Sequence, residues 1–168
     1  YNAADLVIVG KYAGKTSLAA VGSTGSLTNL IVNLFIGLSV GTGVVVAQSI
    51  GAADRGKIYR TVQTSVTVSV IAGIAVGIFG VIASPQLLSL MDTPDDVLGL
   101  SSLYMRIYFA GMPANMLYNF GAAILRADGD TKRPLYFLII ACLTNIVLDV
   151  LFVMGFGMGV LGVATATV

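Results

Sequence analysis

No charged side chain occurs in residues 16–53, 61–91, 107–125 or 150–168. A helix that crosses a bilayer needs about 20 mostly apolar residues, and each of these runs approaches or exceeds that length. In hydrocarbon every backbone N–H and C=O must be paired internally, which leaves helices or a closed barrel. Barrel strands alternate polar and apolar residues over about 10 positions, and these runs do not alternate. The composition agrees. It is 57% hydrophobic and 10% charged with a mean hydropathy of +0.93, where soluble domains carry about 25% charged residues. The fold class is therefore all-α, a polytopic membrane helix bundle with about five transmembrane helices plus partial ends.

The pattern predicts helices at residues 1–10, 17–51, 62–84, 97–125 and 133–154, with a further one beginning near 159. Residues 1–10 look like the second half of a helix and 160–168 like the first half of another, so the chain reads as a fragment of a longer protein. Pro85 and Pro94 are expected to bracket the exit from the third helix. Pro113 lies inside the fourth, where it should free a carbonyl and kink the helix. Pro134 opens the fifth, where its missing N–H costs little. The links 51–60 and 126–134 each carry three basic residues, while 85–96 is acidic. Positive charge stays cytoplasmic. This puts 51–60 and 126–134 inside, and 10–16, 85–96 and 155–159 outside.

Within this apolar chain one residue stands out. Asp149 lies in Thr144-Asn145-Ile146-Val147-Leu148-Asp149-Val150-Leu151-Phe152. A carboxylate near a bilayer centre costs roughly 2.5–3.5 kcal/mol on insertion scales, so such acids tend to mark ion or proton pathways. Asn145 precedes it by one turn, on the same helix face. Asn115 with Asn119 and Asn29 with Asn33 repeat the spacing. Polar pairs of this kind also serve as hydrogen-bonded glue between helices, and that is the favoured reading for Asn29 and Asn33. Asp5 is the second acid in an apolar stretch, open to two readings: an intramembrane group, or an interfacial carboxylate reaching water. Gly37 with Gly41 and Gly73 with Gly77 form small faces suited to close helix approach. Arg106, near the outer end of the fourth helix, is expected to snorkel to the interface.

Several functions are excluded. A net charge of +1 without a basic stripe gives no nucleic-acid surface. The single cysteine, Cys142, cannot form an internal disulfide or a cysteine-based zinc cluster, and the sequence holds no histidine. No catalytic triad can be assembled, so an enzyme is not expected. Gly157-Met158-Gly159-Val160-Leu161-Gly162 matches the dinucleotide fingerprint in letters, but that motif needs a preceding strand. Here it reads as a turn between membrane helices.

Five stretches carry a family resemblance. They are Tyr1-Asn2-Ala3-Ala4-Asp5 running into Val9-Gly10; Leu18-Ala19-Ala20-Val21-Gly22; Val46-Ala47-Gln48-Ser49-Ile50-Gly51-Ala52; Arg126-Ala127-Asp128-Gly129-Asp130-Thr131-Lys132-Arg133-Pro134; and Asn145-Ile146-Val147-Leu148-Asp149. In this order they resemble the first lobe of a multidrug and toxic compound extrusion (MATE) transporter. The resemblance implies twelve helices in two six-helix lobes, of which 1–168 would be the N-terminal transmembrane lobe. That lobe would run from the end of helix one to the start of helix six, incomplete at both ends. It implies efflux of organic cations, drugs or metabolites by antiport with protons or sodium, without a further cofactor. The implied partners are a small organic substrate, the lipid bilayer and the missing C-terminal lobe. The implied home is a bacterial or archaeal plasma membrane. The ion-coupling residues it implies are Asp5, Asn145, Asp149 and Asn119, with Asp5 and Asp149 the only candidate holders of a metal, namely sodium.

Two physical routes lead from Asp149 to exchange. Desolvation disfavours its charged form and so favours a bound proton. Alternatively, oxygens of Asp149, Asn145, Asn119 and Asp5 hold a hard cation. Either event would bias bending at Pro113 or rocking of one lobe against the other, expelling a bound substrate. Asn33, Asn115 and the deformable Met112 and Met116 are candidates for the wall of a substrate cavity, although methionine in a membrane helix is usually packing. Two rival classes remain. A lipid-linked oligosaccharide flippase of the same superfamily should display basic residues in a central cavity, for which only Arg106 is available. A non-transporting scaffold should keep Asp5 and Asp149 apart, whereas a transporter should join them in a solvent-reachable pocket.

Overall fold

The computed structural model describes the chain from residue 2, with side chains from residue 4. Tyr1, the opening residue of the first expected helix, lies outside the described residues. Seven α-helices are present among the described residues: α1 (Asn2–Tyr12), α2 (Gly14–Gly51), α3 (Arg55–Leu90), α4 (Asp95–Ala110), α5 (Met112–Ala127), α6 (Lys132–Val150) and α7 (Gly159–Thr167). A wide π turn over Leu151–Gly155 extends α6. Three uninterrupted helical stretches are long and apolar enough to cross a membrane: Gly14–Gly51, Arg55–Leu90 and Lys132–Gly155. The fourth crossing is made in two pieces by α4 and α5.

Pairing across the bundle gives the helix directions. Ser101 on α4 donates to Ala20 O on α2 (3.2 Å), and further along Gly43 on α2 lies against Ala123 on α5. The α4–α5 rod therefore runs parallel to α2. Against α3 the order reverses, with Gly80 and Gly77 beside Phe109 and Gly73 beside Pro113. The ends of α2 and α5 thus lie at one end of the bundle. Both basic links are there, and Arg55, Lys57, Arg60, Arg126, Lys132 and Arg133 are all exposed.

Several boundaries differ from expectation. The third helix begins at Arg55, so the basic residues of the first link lie on helical turns. Asp54 makes this possible by accepting the Lys57 N–H (2.9 Å), a standard N-cap bond. At the other end α3 runs through Pro85 to Leu90. A helix held by neighbours accepts an internal proline at membrane depth. The fourth helix is broken at Gly111 rather than bent at Pro113. Pro113 has no N–H for the carbonyl four residues earlier, and it opens α5 within the first turn. Gly111 closes the break by donating to Ile107 O (3.2 Å) and Tyr108 O (3.1 Å).

Membrane helices associate through van der Waals packing, which favours small residues at the contact. A Cβ on Gly73 would come within 2.6 Å of Pro113 Cα, and one on Gly80 within 2.0 Å of the Phe109 ring. The Gly73 and Gly77 face is therefore the seat of the α4–α5 break. Gly37 and Gly41 do not follow suit: nothing lies within 4 Å of a Cβ at either. They share the exposed side of α2 with Asn29 and Asn33, so neither asparagine glues helices within this chain.

Buried hydroxyls in these helices close on their own backbone. Thr24 donates to Val21 O (2.7 Å), Ser49 to Val45 O (2.7 Å) and Ser69 to Val66 O (2.8 Å). A hydroxyl can meet its needs locally in this way. A carboxylate, an acceptor only, has no such recourse to a carbonyl.

Candidate functional site

The buried residues of α6 are Pro134, Asn145 and Asp149. Most of its leucines, isoleucines and valines are exposed, with Ile146 and Leu148 half-buried. The helix is thus turned with its polar edge inward, as a lipid-facing helix must be when it carries groups that hydrocarbon cannot solvate. Asn145 and Asp149, one turn apart, face α1 and α7. The π turn starts two residues after Asp149, and such widened turns recur at functional sites.

On α1, Asp5 is fully buried, as is Asp149. Asp5 and Asp149 act directly on one another, and Asp5 also interacts with Asn145. From α7, Thr167 Oγ1 lies 3.2 Å from Asp5 Oδ2 and 2.8 Å from Val163 O. Its single proton can serve only one of these acceptors at a time. Tyr104 of α4, only 3% exposed, sits within electrostatic reach of Asp5, Asp149 and Thr167. Four helices therefore converge on one polar cluster.

The cluster is undersupplied with donors. Asp5 Oδ1, both Asp149 oxygens and both side-chain polar atoms of Asn145 are buried without a hydrogen-bond partner. No lysine or arginine compensates: the ion pair among the described residues joins Arg133 to Asp130 (3.0 Å) at the exposed end of α6. Native proteins leave few buried polar groups unpaired, and each costs about 1–3 kcal/mol. Two neighbouring buried carboxyls with no basic partner among the described residues have the chemistry to accept positive charge, as a proton or as a hard cation that prefers oxygen ligands.

The chain matches the MatE family model over residues 1–151. It belongs to the MATE family. It is 34% identical over 167 residues to the probable multidrug resistance protein YoeA of Bacillus subtilis, an alignment covering 97% of this chain and 36% of that protein. It is 28% identical over 159 residues to the FAD transporter of Shewanella oneidensis, covering 94% of this chain and 34% of that one. Among solved structures, a MATE crystal structure in the bent conformation superposes with a TM-score of 0.94 at 35% identity, covering 99% of this chain and 37% of its own. An inward-facing multidrug resistance MATE transporter superposes with a TM-score of 0.90 at 32% identity, covering 99% of this chain and 37% of its own. The chain thus spans little more than a third of the length of these relatives. MATE proteins are multi-pass membrane transporters rather than enzymes.

Among the residues singled out in the sequence, the MATE lobe joins Asp5, Asn145 and Asp149. It leaves Asn119 elsewhere. Asn119 is on α5, which packs on α2, α3 and α6 but not on α1 or α7. Its Nδ2 donates to Asn115 O (2.9 Å) and Asn115 Oδ1 (2.8 Å), so the two asparagines serve each other. The wet pocket expected around the acids is closed here, with both carboxyls sealed from solvent. Met112 and Met116, each 1% exposed, are core packing rather than cavity wall. Asn33 is exposed and Asn115 half-buried. Thr167 and Tyr104 went unnoticed in the sequence, since a threonine or tyrosine in a membrane helix carries no signal apart from its neighbours.

The sequence Gly157-Met158-Gly159-Val160-Leu161-Gly162 forms the turn into α7. Gly157 and Gly159 have φ of 65° and 53°. A Cβ on Gly162 would fall 2.9 Å from Phe152 Cβ, so this glycine admits the π turn against α7.

Proposed function

We propose that this chain is the N-terminal lobe of a secondary efflux transporter, from the end of helix one to the start of helix six. In this reading an organic solute is expelled in exchange for a proton or sodium ion. Asp5 and Asp149 receive the coupling ion, with Asn145 and Thr167 as neutral oxygen donors. A C-terminal lobe of the same protein supplies the rest of the substrate path. The multidrug and FAD relatives support an organic solute as the substrate in this reading, and the bacterial relatives support a cytoplasmic membrane.

The observation that carries this reading is the donor-poor carboxyl pair. A structural polar cluster would pair its atoms. This one leaves five without partners and is therefore suited to an occupant that comes and goes. Thr167 supplies a switch, because its proton can move between Asp5 and its own backbone when Asp5 changes charge. The burial of both carboxyls supports an all-or-none exchange, since a cation entering the site must be matched to the carboxylates.

The test is efflux of a cationic dye from cells expressing the full-length protein, with the sodium and proton gradients removed in turn. Asp149→Asn is expected to abolish gradient-dependent efflux at near-normal expression. Wild-type efflux with unchanged ion dependence in that variant would rule out the role.

A further inference from the structure

A cleft of about 320 Å³ opens on the outside of the bundle where α3 meets the α4–α5 break, lined by Ile74, Gly77, Ile78, Ile82, Ala110 and Pro113, with Val81 beside them. Its walls are apolar and its mouth lies among exposed isoleucines of α3. The cleft lies where Gly77 brings α3 against the Phe109 backbone and the chain breaks at Gly111.

Arg106 stands one helical turn outward from Ala110 on the same exposed edge of α4. It lies about 17 Å along the helix from Asp95, at 1.5 Å per residue. Side chains lean toward the helix N-terminus, and the basic links at the opposite end of the bundle mark that end as cytoplasmic, so Arg106 leans toward the outer surface. Arg106 has no ion-pair partner among the described residues. Asp95 and Asp96, the acids at the start of α4, begin about 15 Å away along the helix by the same rise and form no ion pair with it. An unpaired arginine at this depth calls for an anion supplied by the membrane.

We propose that this cleft is a binding site for an anionic phospholipid of the outer leaflet, with Arg106 holding the phosphate and one acyl chain lying inward along Ile82, Ile78 and Ile74 across the Pro113 break. The order of groups matches that of a lipid, charge outward and hydrocarbon below it. A guanidinium suits a phosphate because its planar donors can bind two oxygens together. Its binding chemistry does not depend on the role of Asp5 and Asp149.

Native mass spectrometry of the full-length protein tests it, with phosphatidylglycerol and phosphatidylcholine of identical acyl chains. Wild type should retain phosphatidylglycerol about fivefold better, the effect of one basic residue at an anionic surface. Arg106→Gln should abolish that preference and Arg106→Lys should keep part of it. Ala110→Phe should fill the cleft and lower retention of both lipids. Equal retention of the two lipids by wild type, or a preference that survives Arg106→Gln, would overturn the proposal. In a Cys142→Ala background, Ala110→Cys should react with a maleimide dissolved in the bilayer. Failure to react would mean that protein covers the cleft, and would overturn the proposal independently of variant stability.

Discussion

Replacing Asp149 by leucine separates an ion receptor from a structural polar contact, because the two predict opposite signs. Neither oxygen of Asp149 has a partner that donates to it in the structure, so its removal forfeits only the contact with Asp5. Aspartate at a helix centre costs about 2.5–3.5 kcal/mol for insertion, while leucine gains about 0.3–0.6 kcal/mol. The difference is an upper bound, since Asn145 and Asp5 keep their own unpaired atoms. A net gain of about 2–3 kcal/mol is expected in ion-free buffer. At 2–4 °C per kcal/mol for a domain of this size, the melting temperature should rise by about 4–12 °C. Ligand linkage supplies the second half of the test. Sodium at a hundred times its dissociation constant stabilises a binding-competent protein by about 2.7 kcal/mol, and the leucine variant should show none of this. Thermal unfolding of purified protein, in sodium and in choline buffers across a pH series, measures both effects. A variant that melts below wild type in ion-free buffer, or that keeps the ion-dependent shift, would refute the argument.

Three other outcomes follow from the geometry. Thr167→Val removes the hydroxyl that faces Asp5 and should weaken the apparent sodium affinity about fivefold, the weight of one hydrogen bond of about 1 kcal/mol; an unaltered sodium titration would exclude the contact. Gly73→Ala would set a Cβ about 0.8 Å inside the 3.4 Å at which ordinary contact with Pro113 begins. Overpacking costs of about 1–3 kcal/mol should outweigh the helix-propensity gain of about 1 kcal/mol, whereas Gly99→Ala, with nothing within 4 Å, should be neutral or stabilising; equal melting temperatures for the pair would contradict the packing account. Asp130→Ala removes an acceptor for the N–H groups of Lys132 (3.1 Å) and Arg133 (3.0 Å) and should cost about 1–2 kcal/mol in denaturant unfolding.

The charge-free runs of the sequence were sufficient for the membrane bundle, because hydrocarbon leaves the backbone no alternative to helices. The spacing of Asn145 and Asp149 likewise put both on one face in advance. Helix ends were harder to read. Asp54 caps α3 earlier than hydropathy suggests, since a cap depends on one side-chain bond and not on apolar content. Pro85 gave no stop, and the fourth helix broke at Gly111, because packing against α3 decides where a weakened helix gives way.

The sequence by itself determined that this chain must cross a bilayer and carry the Asp149 carboxylate there, a consequence of local composition and helical period, while Asp5 stayed open between the membrane and its surface. Only the tertiary structure decided that Asp5 meets Asp149, that Thr167 and Tyr104 join them, and that Asn119 turns to Asn115 instead. Those pairings join residues up to 162 positions apart. Contacts at such separation depend on how glycine faces let helices approach, and no local pattern records that.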